Sequence, residues 1–449
     1  MTELIKEKNP ISNNLALFLC LLLGAINFWL LYPGGFTPDT WDQYNQAIAA
    51  NYIYHHPPFM AFCWHFMMKL WNNPGTMLLW HLALLWGAVY NFYRTFNHLI
   101  SKFKFLYFII PFLPWVLSYS IAIWKDISFV YSYIYVASLL TYITVTEKKP
   151  NIFRLGLISV ILFYGTAVKF QARFILPVMA LWISLIIIKS DSVIKKIITA
   201  TVIFTVIFSL QESINNYLIT DKKTGNRHSW QMVKLYDLAG ISYYQDQLLF
   251  PQYIMDNPNL TLEKIKESYN NYSINSLWFR EDKILNDTTD SVLLNELWQF
   301  WFETVLKYPK SYLKHRLLLW KNIVNAENSA PSNAIGQLAP EGYNEESRQT
   351  AFTLKYISKG QFLTKAQYYI WFIPLYIALG FVILRKNINK LGISLIFMNL
   401  SALCMVLVFI PLSMACDARY LFIVSIMVTF SHPMVLVSIG DLFKKATKV

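Results

Sequence analysis

The chain has 449 residues, of which 55% are hydrophobic, 17% aromatic and only 14% charged, whereas soluble domains carry about 25% charged residues. With a mean hydropathy of +0.36, this argues against a water-soluble enzyme and for a polytopic membrane protein. The net charge of +13 raises the question of a nucleic-acid partner, but residues 219–366, the one long polar stretch, hold 17 basic against 16 acidic side chains. The excess therefore lies in short loops between apolar runs, where it reports topology, and no nucleic acid is expected as a partner.

In chain order, the first apolar run is 14–32, behind Lys6 and Lys8. The sequence that follows, YPGGF, is no small-residue cleavage site, so the run is expected to remain as a first membrane helix. Further runs lie near 76–93, 105–123, 127–145, 155–169, 172–188, 197–218, 367–384, 391–413 and 420–438. Each is about 15–23 residues, against about 20 needed to span with tilt allowed. The expected fold class is an α-helical polytopic membrane protein with about ten transmembrane helices. Residues 1–218 form a seven-span module, 219–366 a mainly helical segment on the outer face, and 367–449 a three-span module.

Residues 57–71 contain His65 and Lys69 and end at NNPG, and they read as an interfacial helix within the first outer loop, 33–75. The charge distribution supports leaving them out of the spans. With ten spans and the N-terminus inside, 17 basic residues lie on the inner face and five on the other side outside the long segment. Counting 57–71 as a span would move Arg94, Lys102 and Lys104 outside and reverse everything after them.

Within 219–366, the stretch SVLLNELWQFWFETVLKYPKSYLKHRLLLWKNIV repeats apolar residues at helical spacing, and Pro309 divides it into two helices. The second, with Lys314, His315, Arg316 and Lys321 beside Leu317 and Trp320, fits either a membrane-surface helix or a domain-core helix. Cys20, Cys63, Cys404 and Cys416 show no CxxC or metal-ligand spacing, which speaks against a disulfide framework or zinc site.

No nucleotide-binding, metalloprotease or hydrolase fingerprint is present. What stands out is a ring of ionisable residues at the outer helix ends: Asp39, Asp42, Asp126 and Asp417 with Lys125, Lys169, Arg173 and Arg419. Such groups are costly there, and these four cations break the inside-positive pattern of every other short loop. Asp39, in GGFTPDTWDQYNQA, is either a helix N-cap or a general base facing an acceptor hydroxyl. Asp42 suits the positive end of the same helix. His55 and His56, in YHHPP, are polar anchors or substrate ligands; no metal site is assigned, although a divalent cation stays open. Lys125 and Asp126 form WKD and either pair together or meet a lipid headgroup. Lys169 and Arg173 flank FQA and either snorkel or bind phosphate. Asp417 and Arg419, in CDARY, suit a local pair at the start of the last helix.

The TPDTWDQYNQA loop, the YHHPPFMAFCWHFMMKLW stretch behind it, and the WKD, KYPKSYLKHR and DARY elements resemble the GT-C superfamily of integral membrane glycosyltransferases. That superfamily includes the protein O-mannosyltransferases and the aminoarabinose transferases, and the elements are similar to those of bacterial membrane proteins assigned to the same fold. The resemblance implies an enzyme of the bacterial inner membrane whose site faces the periplasmic or extracellular side. It implies a polyprenyl-phosphate-linked sugar as donor, a lipid or glycan of the cell envelope as acceptor, and membrane lipids as surroundings. Asp39 would be catalytic, with Asp42, His55 and His56 in support. Lys125, Lys169, Arg173 and Arg419 would bind the donor phosphate, with Asp126, Asp417 and Arg316 as accessory residues. One departure is that the large soluble portion lies between the seventh and eighth spans and not at the C-terminus, so acceptor recognition does not carry over. The rivals are an O-antigen ligase or polymerase using diphosphate-linked glycans, which predicts a larger basic cluster, a lipid or glycan transporter, which predicts mid-membrane charges and two similar halves, and a non-catalytic envelope assembly protein.

Overall fold

The computed structural model describes residues 12–54, 56–220, 228–328, 339–343 and 348–446. They form helices and loops, and the β-type pairings among them are two isolated bridges, Gly35 with Ala122 and Ser273 with Ala415. Six helices are long and apolar enough to cross a bilayer, and the chain is a helical membrane protein.

The first of the six is α1 (Asn13–Leu31). It leads into α2 (Pro38–Ala49), capped by the Thr37 hydroxyl, and α3 (Phe59–Leu70). At 12 residues, α3 is too short to cross; it buries Met60, Ala61 and Trp64 and exposes Phe66 and Leu70. α4 (Thr76–His98) has the length, but polar residues lower its hydropathy. Those residues tie it to α5 (Lys125–Thr146): His81 bonds Ser128 at 2.5 Å, Asn91 bonds Ser138 at 3.2 Å and Arg94 bonds Tyr142 at 3.1 Å. α5, one of the six, is almost wholly buried and forms the centre of the bundle.

Between α4 and α5 the apolar run is broken, with Lys102–Phe112 and Pro114–Ser120 meeting at 53°. Leu113 is extended (φ −60°, ψ 134°), because the Pro114 ring clashes with a helical residue before it. Two shorter apolar helices follow, α6 (Ile152–Ala167) and α7 (Leu176–Ile187). The 26-residue α8 (Val193–Leu218) exposes Val202, Val206 and Leu210 on the bundle's outside, a surface suited to lipid. The remaining spans are α12 (Gln367–Arg385), α13 (Leu391–Leu412) and α14 (Ala418–Ala446), which follow the segment described next.

Between α8 and α12 lies a second core, built on α9 (Trp230–Gln245), α10 (Ser291–Lys307) and α11 (Pro309–Val324), with Leu235, Leu238, Ile265, Leu277, Leu297 and Leu319 inside. Pro309 is the first residue of α11, where its missing N–H costs nothing. The face of α11 carrying His315, Arg316 and Leu319 is buried, whereas Leu313 and Leu317 are exposed. Trp320 donates to the Val406 carbonyl of α13 at 3.1 Å, so this segment seats directly on the membrane bundle.

Candidate active site

The site is built where four loops meet at one end of the bundle. Gly34 has φ +101°, and a Cβ there would lie 2.7 Å from the Ile123 side chain, so the PGG turn needs glycine. Gly35 accepts from and donates to the 121–123 strand-like loop, its N–H reaching the Ile121 carbonyl at 2.6 Å. The Trp124 indole donates to Thr37 Oγ1 at 2.7 Å, and the Thr40 hydroxyl donates to the Ile123 carbonyl at 3.2 Å. These bonds dock the start of α2, which carries Asp39, beside the start of α5, which carries Lys125 and Asp126. Thr37 caps α2 and Pro38 is its first residue. Asp39 is therefore not the N-cap, and its carboxylate is left for other contacts.

Those contacts come from the far end of the chain. Arg419 Nη1 lies 2.7 Å from Asp39 Oδ2, and Arg419 Nε lies 2.9 Å from Asp417 Oδ2. The guanidinium also packs over the Trp124 ring at 4.8 Å. Asp417 caps its own helix start through the Arg419 N–H at 3.1 Å. The 413–416 loop before it is gripped by the 219–366 segment: Arg316 Nη1 donates to the Ser413 carbonyl at 2.6 Å, Ile274 N to Met414 O at 2.9 Å, and Cys416 N to Tyr272 O at 2.7 Å.

Lys125 Nζ lies 2.5 Å from His56 Nδ1, and His56 Nε2 is 3.8 Å from both Asp39 Oδ1 and Asp42 Oδ2. Asp42 also accepts from Gln46 at 2.9 Å. Lys169 Nζ is 2.5 Å from Asp126 Oδ1, with both side chains buried, and lies over the Tyr420 ring at 4.9 Å. Burial alone would raise the Asp39 carboxyl, but Lys125, Arg419 and His56 more than offset it and hold it well below the usual carboxylate range. The structure thus gathers Asp39, Asp42, His56, Lys125, Asp126, Lys169, Asp417 and Arg419 into one cluster of four carboxylates and three basic side chains besides the histidine.

Arg173 and Arg316 stand apart from it. Arg173 Nη2 pairs with Glu212 Oε1 at 3.0 Å, and Arg316 Nε lies 2.6 Å from the fully buried Asp237. His55 lies outside the described residues. Among the described residues, no group of three or more His, Cys, Asp or Glu side chains is arranged to hold a metal ion. Sequence reasoning passed over Glu212 and Asp237. A lone acid near the end of the apolar 197–218 run was the available signal for Glu212; Asp237, inside the apolar helix WQMVKLYDLAG, offered a similar one.

A cavity of about 400 Å³ adjoins the cluster at His56 and runs along α8 and α9, past Arg173, Glu212, Asn215 and Trp230. No family model, curated protein or solved structure matches the chain.

Proposed function

We propose that the protein is an integral membrane glycosyltransferase that transfers a sugar from a polyprenyl-phosphate donor to a cell-envelope glycan or lipid at the outer face of a bacterial inner membrane. On this reading the four segments outside the six long spans, namely α4, the bent 102–120 segment, α6 and α7, complete ten crossings. The observation that carries the proposal is the Asp39–Arg419 contact of 2.7 Å inside a cluster of ionisable groups at the helix ends, with a cavity beside it. A carboxylate and a guanidinium held together there match an acceptor base and a phosphate ligand.

In the reaction, an acceptor hydroxyl gives its proton to Asp39 as its oxygen attacks the anomeric carbon. The bond from that carbon to the phosphate oxygen breaks with inversion, and the departing phosphate keeps the electron pair. Among the described residues, Lys125 has an imidazole and not a carboxylate as its hydrogen-bond partner, so a phosphate meets it without displacing an acid. Arg419 is next, because a phosphate competes with Asp39 for the guanidinium fork. Once Arg419 turns to the donor, the Asp39 carboxylate loses a stabilising partner and becomes a stronger base. Four carboxylates against three basic side chains do not make the larger basic cluster that a diphosphate-using ligase predicts.

The test is complementation of a deletion strain, read by glycan analysis and lipidomics. Wild type should restore one envelope modification and clear an accumulated polyprenyl-phosphate sugar. Asp39→Asn, present at equal membrane levels, should leave transfer about 10²–10⁴-fold lower. Full restoration by Asp39→Asn removes the mechanism.

A further inference from the structure

The cavity between α8 and α9 has a chemistry different from that of the ionic cluster. Among the described residues its one cation–anion pair is closed on itself: Arg173 Nη2 meets Glu212 Oε1 at 3.0 Å, and Arg173 Nε donates to the Phe170 carbonyl at 2.8 Å. The pair adds no net charge. Gln211 Nε2 also bonds Glu212 Oε1, at 2.8 Å, so the contacts among the described residues fall on one carboxylate oxygen and leave Oε2 to the cavity.

Asn215 sits one turn further along the same helix, only 7% exposed. Its Nδ2 donates to the Ala167 carbonyl at 3.0 Å, which fixes the amide orientation, since a carbonyl oxygen placed there would face another acceptor. Its Oδ1 is buried with no hydrogen-bond partner among the described residues. A buried, unpaired amide oxygen costs about 1–3 kcal/mol, a cost that a hydroxyl donor in the cavity removes. Residues three apart on a helix place their Cβ atoms roughly 5–6 Å from one another, so Glu212 and Asn215 border the cavity side by side. Around them stand Phe170, Phe174, Tyr54 and Trp230, whose ring faces carry the negative side of the aromatic quadrupole and suit C–H groups.

We infer that this cavity binds an uncharged, hydroxyl-rich headgroup, a sugar, through Glu212, Asn215 and Trp230, and that Arg173 is a positioning residue for Glu212 and not a phosphate ligand. A phosphate is disfavoured by the same features of the described residues. Its oxygens are acceptors and would face two further acceptors, and it would sit beside the Glu212 carboxylate. The volume of about 400 Å³ falls within the range of roughly 300–1,000 Å³ for small-molecule sites. The sugar arrives either on a membrane lipid, along the lipid-facing side of α8, or free in solution. Calling it the acceptor rests on the transferase reading; its binding does not.

The experiment is equilibrium binding of radiolabelled octyl β-glucoside, glucose and octyl phosphate to the full chain in nanodiscs, with empty discs subtracted. The glucoside should bind and octyl phosphate should not. Asn215→Leu should weaken the glucoside at least about tenfold, the loss of one buried hydrogen bond. Glu212→Gln, at a half-exposed position, should weaken the glucoside and give octyl phosphate a measurable affinity by releasing Arg173. Glucose binding as tightly as the glucoside assigns the site to a soluble sugar; a clear preference for the glucoside assigns it to a lipid. Octyl phosphate binding the wild type as well as the glucoside does, or both variants leaving glucoside affinity unchanged, overturns the inference. Because binding is read without transfer, a protein that binds glucoside but transfers nothing sinks the functional reading alone.

Discussion

Arg419 reaches across 380 positions of chain to place Nη1 2.7 Å from Asp39 Oδ2, while its Nε stays 2.9 Å from Asp417. One planar guanidinium therefore joins the start of α2 to the start of the last helix. The contact makes the local geometry of both ends a single unit, and it governs what either carboxylate can do.

Replacing that fork separates charge from shape. Arg419→Lys keeps the cation, but an ammonium is a point charge and cannot hold two carboxylates in one plane. Transfer should fall at least about tenfold while the protein still folds. Arg419→Gln removes the shared cation from two carboxylates in a half-buried site and should destabilise, by less than the about 3–5 kcal/mol that breaking a fully buried pair costs. Thermal unfolding of the purified variants checks this; a Gln variant melting with wild type would show that the fork is not structural.

The Lys169–Asp126 pair, 4% and 2% exposed, gives a prediction about stability. Lys169→Met strands a buried carboxylate whose Oδ2 already lacks a partner, and should cost about 3–5 kcal/mol. The double variant Lys169→Met/Asp126→Leu should regain most of that loss, because no uncompensated charge remains. A double variant as unstable as the sum of the singles would show that the pair is worth more than its desolvation.

In the segment between α8 and α12, His315 accepts from or donates to Tyr269 OH at 2.8 Å and faces Asp237 at 3.5 Å and Tyr236. Burial, helped by the neighbouring Arg316, holds its imidazole well below the ordinary value of 6.5. The unfolded chain therefore binds a proton that the folded one refuses, and stability should fall as pH drops below about 6.5, by about 1.4 kcal/mol per pH unit. Asp237 is raised by burial, which outweighs Arg316, and acts with the opposite sign. His315→Gln retains Asp237, so the wild-type-minus-variant difference between pH 7.5 and 5.5 isolates the histidine. Equal pH dependence in the two would refute the assignment.

Orientation is testable without substrate. In a background lacking Cys20, Cys63, Cys404 and Cys416, Asn286→Cys should react with an impermeant maleimide added to intact cells, and Lys149→Cys only after lysis. Both positions are exposed. The reverse pattern would invert the membrane plan and move the ionic cluster to the inner face.

The amino-acid sequence by itself determined the helical membrane character, since runs of apolar residues of the right length leave the backbone no other way to satisfy its hydrogen bonds in lipid. It also marked the ionisable residues at the helix ends, because each is costly where it stands. It did not determine their partners. Lys125 and Asp126 are neighbours in WKD, but consecutive helical residues point about 100° apart; Asp126 turns to Lys169 and Lys125 to His56. Likewise Lys169 and Arg173 share one short turn yet serve different sites, one in the cluster and one with Glu212 on the cavity wall. Pairings such as Asp39 with Arg419 depend on how α2, α5 and α14 converge. That convergence is set by the summed packing of many helices, and no local pattern of residues encodes it.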